Sequence, residues 1–468
     1  MINLSIFKAY DVRGIYPTEI DEDAVYKIAQ AYVKVFKPKG AIALGKDVRL
    51  SSPSLWQAAA KGLTDAGIDV VDIGTISTDM LYFSVAKYGY SGGMTISASH
   101  NPKEYNGIKF VRAKAIAISG DTGIMDMRDQ ALKNEQIMEP EKGEITKKEI
   151  LADYVKHCLS FIDPQVIKPM KIVANANFGM AGAALNKILE NLPIEIVPLD
   201  FEPNGNFPKG RPDPMIPERR QETEDLVKQE KVDLGVAWDA DADRIFLFDE
   251  NGQYIDNYFL QAILAKILLA KSGKKDTPSL KLRSVEKVIY DPRLNWAVID
   301  TIKAMGGEPI INKVGHAFIK DRLREEKALF AGEITGHFYF RDNFYCDNGM
   351  IPLLLILEKL SNEGIKASDL AKPFLNKYFF SPEISQPITA DADKILADIE
   401  KKYKDPSYAK ASEGRGQILH IDGLSVEYAD WRFNLRKSNT EPLIRLNVEA
   451  KTQELVGEKV KELLKLIK

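Results

Sequence analysis

The chain has 468 residues, of which 45% are hydrophobic and 28% charged, and a formal net charge of -3. That length exceeds one core, since domains run to roughly 100 to 200 residues, so three or four units are expected. A charge so nearly balanced argues against nucleic acid or an anionic membrane as partner and points to a small molecule.

The amino terminus, MINLSIFKAYDVRG, has neither a basic leader with an apolar core nor a small-residue cleavage site, so no secretion signal is expected. Its first motif is the turn from Ala9 to Gly14, carrying Tyr10 and Arg13 ahead of a helix expected from about Glu22 to Phe36. A strand at Ala41 to Gly45, a helix from about Ser54 to Ala66 and a strand at Val70 to Ile73 follow, which is α/β order. Three segments share one arrangement: LTDAGIDVVDIG, ILENLPIEIVPLD and IKAMGGEPIINKVG each run from a helix end through a Gly- or Pro-rich turn into an apolar strand. Three related α/β units are therefore expected, at residues 1–150, 151–252 and 253–373, the first closing in the polar stretch EPEKGEITKKE.

The chemistry is expected in TISASHNPKEYNGIK, from Thr95 to Lys109, with Ser99 at its centre. A serine hydroxyl is a weak nucleophile unless its surroundings change it, and here His100, Asn101, Pro102, Asn106, Gly107 and Lys109 surround it in sequence. Alone, the stretch also reads as a capped turn with Pro102 at a first helical position. The second unit adds Asp239, Asp241, Asp243 and Arg244 in the run DADADR, between the apolar runs LGVAW and IFLF. Alternation places the carboxylates on one side of an extended segment, and hard oxygen ligands of this kind suit Mg²⁺. An EF-hand calcium loop would need a glycine where Arg244 stands and helices on both sides. KIVANANFGMAG, earlier in this unit, lacks the spacing of a nucleotide fingerprint and reads as a packing turn.

In the third unit, the apolar helix expected from Tyr258 to Lys271 is interrupted by Gln261 and Lys266 and is too short to span a bilayer. Gly315-His316 and the run GEITGH, from Gly332 to His337, are loops after expected strands, the ligand side of an α/β sheet. Beyond Pro373 the pattern changes to a smaller α+β unit, residues 374–468. It has helices at Ala392 to Tyr403 and Gln453 to Ile467, strands at Gln417 to Ile421 and Leu443 to Ala450, and the polar set Arg436, Lys437, Ser438, Asn439 and Thr440 between strands. A guanidinium beside hydroxyl and amide donors can clamp a phosphate, and a plain hairpin turn does not explain the whole set. Cys158 and Cys346 have no zinc spacing and are expected as buried or incidental thiols in a reducing cytoplasm, while His157 and His420 carry no assigned role.

TISASHNPKEYNGIK, DADADR, GEITGH and RKSNTEP, in that order, resemble the four signature loops of the α-D-phosphohexomutase superfamily, and of its phosphomannomutase/phosphoglucomutase branch in particular. The resemblance implies three related α/β domains, with mixed sheets, and a smaller α+β domain around a central cleft. It implies reversible phosphoryl transfer between the 1- and 6-positions of mannose and glucose phosphates through a phosphoserine and a hexose 1,6-bisphosphate, which serves as intermediate and activator. On this resemblance Ser99 carries the phosphate and is a metal ligand together with Asp239, Asp241 and Asp243, and Mg²⁺ is the cofactor. Arg13, His100, Lys109, Arg244, His316 and His337 join Ser99 as catalytic residues, without one being singled out as the base. Tyr10, Arg293, Glu333, Thr335, Arg436, Ser438, Asn439 and Thr440 are expected to bind substrate. Partners are small hexose phosphates, with no nucleic acid or membrane; a cytoplasmic monomer is expected, with a dimer as the alternative. Ala240 and Thr335 depart from the commoner family residues, glycine or proline and serine respectively; Ile334 stands where the glucosamine branch usually has Gln. Phosphoglucosamine mutase, a serine- and metal-dependent sugar phosphatase and a non-catalytic sugar-phosphate binding protein remain the alternative readings.

Overall fold

Asp21 begins the first long helix, Glu22–Phe36, by accepting the Ala24 amide at 2.8 Å, and Lys37 ends it in the left-handed conformation. Its apolar stripe, including Val25, Ile28, Ala29 and Tyr32, packs into a core with Leu55, Ala59 and Leu63 of the helix Ser52–Asp65. The helices approach closely where Gly62 stands, since a Cβ there would lie 2.6 Å from the Tyr26 carbonyl oxygen.

A computed structural model describes residues 2–133, 135–274, 285–404, 416–438 and 442–467. They form two compact units. The first takes the chain up to Ile255 with Gly315–Lys327 and Thr335–Ser368, and the second takes Asp256–Val314, Ala328–Ile334 and the chain from Asp369 onward.

The first unit has a seven-stranded mixed sheet in the order Val12–Ile15, Tyr105–Arg112, Gly92–Ile96, Ile42–Lys46, Val70–Thr75, Ile145–Lys147, with Ile116–Ala117 pairing beside Tyr105–Arg112. Its five-stranded sheet runs Tyr254–Ile255, Ile245–Phe248, Leu234–Trp238, Met170–Asn175, Ile194–Leu199, and Phe338–Phe340 pairs antiparallel with Cys346–Asp347. In the second unit Lys287–Tyr290 lies parallel between Glu308–Ile311 and Phe330–Gly332. A six-stranded antiparallel sheet there includes Trp431–Lys437 and Leu443–Ala450 and is covered by the helices Ala392–Lys404 and Gln453–Ile467.

The repeated helix-turn-strand signal has a common structural meaning. In each case the strand after the helix returns parallel to the strand before it: Ile42–Lys46 with Val70–Thr75, Met170–Asn175 with Ile194–Leu199, and Lys287–Tyr290 with Glu308–Ile311. Among the described residues no helix is long and apolar enough to cross a membrane. Cys158 and Cys346 are free, buried thiols, as expected.

Candidate active site

Strand Gly92–Ile96 pairs antiparallel with Tyr105–Arg112, putting Thr95 opposite Lys109 and leaving the serine loop to turn between them. Ser99 sits at φ +49°, left-handed backbone that costs a non-glycine residue and persists only where neighbours impose it. Arg49 imposes it. Fully buried, it donates through Nη2 to the carbonyls of Ser99 and Asn101, both at 2.6 Å, and through Nη1 to those of Pro102 at 2.6 Å and Tyr105 at 3.0 Å. Asp47 holds the Arg49 Nε at 3.2 Å and also accepts from Ser52 at 2.6 Å. Nothing in the side-chain pattern announces Arg49, because its partners in the serine loop are backbone oxygens.

Ser99 Oγ lies 3.0 Å from His100 Nδ1 and 3.3 Å from Asp239 Oδ2. His100 Nε2 is 4.0 Å from Asp213, a residue the sequence reading passed over, which also pairs with Arg244 at 3.3 Å and Arg211 at 2.9 Å. Burial, and then the charges of Arg244 and Arg13, hold the His100 imidazole well below its ordinary pKa, so at neutral pH it is uncharged and Nδ1 can accept the Ser99 proton.

The aspartates stand differently from the expectation. The stretch is a tight turn, not an extended segment: the Ala242 amide donates to the Asp239 carbonyl at 3.0 Å and Ala242 has φ +56°. The turn folds over KIVANANFGMAG, where Gly179 lets the backbones meet; a Cβ there would lie 2.3 Å from the Ala240 carbonyl oxygen. Turning, not alternation, brings ligand oxygens of Asp239, Asp241 and Asp243 within 4.8 Å of one another. Lys109 Nζ donates to Asp241 at 2.6 Å and Asp243 at 2.8 Å, and Arg244 Nε donates to Asp239 at 2.7 Å. Thr78, first residue of the helix Thr78–Tyr88, adds a hydroxyl bond to Asp241 at 2.5 Å and an amide bond to its carbonyl at 3.0 Å.

Three carboxylates thus face two cations. Burial and the neighbouring Asp241 and Asp243 charges raise the Asp239 pKa despite Arg244, whereas at Asp241 burial is outweighed by Lys109 together with the Thr78 and Ser99 hydroxyls, and the pKa falls. Asp241 Oδ1 and Asp243 Oδ1 are buried without a hydrogen-bond partner. Unpartnered carboxylate oxygens converging with a surplus of negative charge fit a hard divalent cation.

The other expected residues of this unit gather nearby. Arg13 Nη1 donates to Asn101 at 2.8 Å and its Nη2 to Asp11 at 2.5 Å. The Tyr10 ring meets His316 edge-on at 5.2 Å, and His316 is 6.5 Å from His337. His316 begins the helix His316–Glu326 and is not a loop residue, and its buried Nδ1 has no hydrogen-bond partner. His337 Nδ1 lies 3.0 Å from Asp347 and 3.7 Å from Asp243. Thr335 Oγ1 is buried and unpartnered.

In the second unit Arg293 is buried against Asp291, with its Nε at 2.9 Å from Oδ2, and lies 3.8 Å from Glu333 and 3.9 Å from Glu383. Glu383, unmarked in the sequence reading, accepts from Arg436 at 2.5 Å and Arg445 at 3.2 Å. Arg436 belongs to the strand Trp431–Lys437, not to the turn after it; Ser438 follows the strand, and Asn439 and Thr440 lie outside the described residues. Arg436 Nε and Arg445 Nε are buried without acceptors.

Comparison with known proteins agrees with this arrangement over the whole chain. Residues 4–136, 152–252 and 256–378 match the models of phosphoglucomutase/phosphomannomutase alpha/beta/alpha domains I, II and III, and residues 386–466 match that of the C-terminal domain. A phosphomannomutase of Vibrio cholerae is 44% identical over 481 aligned residues, covering 100% of this chain and 99% of the relative. A Xanthomonas campestris protein named for phosphohexose mutases is 41% identical, with 96% of each chain covered. A crystal structure of a phosphoglucomutase/phosphomannomutase family protein from Burkholderia thailandensis superposes with a TM-score of 0.87 at 29% identity, covering 99% of this chain and 98% of that one. These likenesses define a phosphohexomutase by class. The chain belongs to the phosphoglucomutase/phosphomannomutase family, as its signature loops imply, and its acidic turn can hold the metal ion that the family uses.

Proposed function

We propose that this enzyme moves a phosphoryl group reversibly between the 1- and 6-positions of mannose and glucose phosphates, carrying it on Ser99 between transfers. Hexose phosphate transfer follows from the family and from relatives at 40 to 44% identity named phosphomannomutase. The observation that carries the Ser99 assignment is its Oγ, poised between a neutral imidazole at 3.0 Å and the Asp239 carboxylate at 3.3 Å.

Phosphate monoesters react slowly unaided, so the protein must position the group and offset its charge. Asp239, Asp241 and Asp243, with an oxygen of phosphorylated Ser99, would hold Mg²⁺, which supplies neutralisation of the transferring group. Lys109, Arg244 and Arg13 add fixed positive charge; three carboxylates and a phosphoserine of about -2 exceed what one divalent cation cancels. His100 holds the Ser99 proton, and His316 and His337 orient sugar hydroxyls or take their protons, with Tyr10 packed beside them. Glu333 and Thr335 hold sugar hydroxyls, while Arg293, Arg436, Ser438, Asn439 and Thr440 bind the phosphate that is not being transferred. The 1,6-bisphosphate, formed as intermediate and serving as activator, reverses its orientation and returns the other phosphate to Ser99. We assign domains to 1–150, 151–252, 253–373 and 374–468 in a cytoplasmic monomer without nucleic-acid or membrane partners.

Glu333 reading only the 3- and 4-hydroxyls, which mannose and glucose share, cannot strongly reject either epimer. Coupled assays should therefore give comparable kcat/KM for mannose 1-phosphate and glucose 1-phosphate. A much lower value for glucosamine 1-phosphate, which shares those hydroxyls, is expected on a separate ground, Ile334 standing where the glucosamine branch usually has Gln. A clear preference for glucosamine would overturn the sugar assignment.

A further inference from the structure

Lys320 and Asp347 form a buried ion pair in the first unit that the reaction as described does not use. Lys320 Nζ lies 2.7 Å from Asp347 Oδ1 and 3.6 Å from the centre of the Tyr82 ring, and both side chains are almost wholly buried. Such a pair is a poor device for stability alone, because desolvation consumes most of its Coulombic gain. Its geometry is more informative. The Lys320 ammonium sets its charge beside one carboxylate oxygen, Oδ1, and the other, Oδ2, meets His337 Nδ1 at 3.0 Å. The backbone beneath is fixed too: Asn343 Nδ2 donates to the Cys346 carbonyl at 3.1 Å and the Asp347 carbonyl at 3.2 Å, and the Asn348 amide donates to Phe338 at 3.1 Å.

We propose that Asp347, held by Lys320, is a positioning residue that fixes the tautomer of His337. An Asp347 carboxylate offers only acceptors, so His337 Nδ1 must carry the ring proton and Nε2 the lone pair. Asp243, the other carboxylate near Nδ1, stands farther away at 3.7 Å. The inference rests on the reading that His337 takes a proton from substrate. As the sugar hydroxyl attacks phosphoserine, the new O–P bond forms, the Ser99 O–P bond breaks with Ser99 Oγ taking back the proton held on His100, and the hydroxyl proton passes to Nε2. In the return transfer Ser99 gives its proton to His100 and the released sugar oxygen takes the one on Nε2.

Lys320 makes this testable, because it dictates how an amide at position 347 must lie. In Asp347→Asn the carbonyl oxygen turns to the ammonium and the NH₂ to His337 Nδ1, which reverses the tautomer. With mannose 1-phosphate as substrate, kcat should fall on the order of a hundredfold or more, with KM within about threefold of the parent. In Lys320→Met/Asp347→Asn the amide is free to turn its carbonyl to Nδ1, and kcat should recover at least about tenfold. Nitrogen-15 spectra of histidine-labelled enzyme, with the His337 signals assigned by their loss in His337→Gln, should show Nδ1–H in the parent and double variant and Nε2–H in Asp347→Asn. A kcat for Asp347→Asn near the parent's, or an unchanged tautomer, overturns the inference. Should Asp347→Asn not fold, the double variant decides alone: Nδ1–H with kcat within about tenfold of the parent supports the proposal, and Nε2–H at that same kcat overturns it. Full activity in His337→Gln would instead remove the proton-transfer role on which the inference rests.

Discussion

The acidic turn of the first unit and the arginine group of the second are built alike but are left wanting opposite things. Around Asp239, Asp241 and Asp243 two carboxylate oxygens are buried without a hydrogen-bond partner, Asp241 Oδ1 and Asp243 Oδ1, against one donor, Arg244 Nη2, which is ion-paired with Asp213 at 3.3 Å. Around Glu383 two guanidinium donors are, Arg436 Nε and Arg445 Nε, against one acceptor, Asp422 Oδ2, which lies in the field of Arg436 and Arg293. In each place the chain supplies part of the countercharge itself, Lys109 and Arg244 in one and Glu383 in the other, and stops short. A buried polar group left unmade is costly, so such atoms in a folded enzyme mark where a ligand completes the structure. The difference fits the proposed function, in which a cation binds at the turn and a phosphate at the arginines.

The comparison breaks first at the turn. Asp241→Asn removes a ligand and unbalances Lys109, and kcat should fall on the order of a thousandfold with a weakened Mg²⁺ dependence while KM changes little. An unchanged Mg²⁺ titration would contradict the cation assignment. At the arginines a smaller and different effect is expected. Arg436→Lys keeps the charge but loses the planar fork, so KM for mannose 1-phosphate should rise about ten- to a hundredfold with kcat less affected. A loss confined to kcat would place Arg436 in the chemistry instead.

Asp65 sharpens the contrast as a buried carboxylate that lacks nothing. Burial alone would raise its pKa, but hydrogen bonds from Lys142, Lys61 and Tyr26 outweigh it and hold the group at about 2 against an ordinary 3.8. A lowered pKa means that the unfolded chain binds the proton more readily, so Asp65 stabilises the fold above about pH 4, and its contribution is lost as the pH falls toward 2. Because Lys61 and Lys142 are largely exposed, screening trims this to about 1 to 2 kcal/mol. Urea midpoints of Asp65→Asn should lie below the parent's at pH 6 and converge with them near pH 2, with turnover unaffected.

What could be read from the sequence was what repeats or stands close in the chain. The helices Glu22–Phe36 and Gln453–Ile467 span the residues expected of them, and DADADR lies between two strands because apolar runs flank it. What could not be read acts across long separations on groups without a signature. Arg49 reaches four backbone carbonyls some fifty residues on, Asp213 ties Arg244 to Arg211, and Glu383 meets arginines from three separate stretches. The extended reading of the aspartates erred because alternation gives no sign of a turn at Ala242, whose left-handed backbone is imposed by the surrounding fold.

The central claim is that Ser99 carries the phosphoryl group between transfers, and mass spectrometry of the active enzyme tests it most directly. One phosphoryl group should be found, on the peptide containing Ser99, and it should be absent from Ser99→Ala, which should fold normally and lose nearly all mutase turnover. Phosphate on another residue, or parental turnover in Ser99→Ala, would contradict the account.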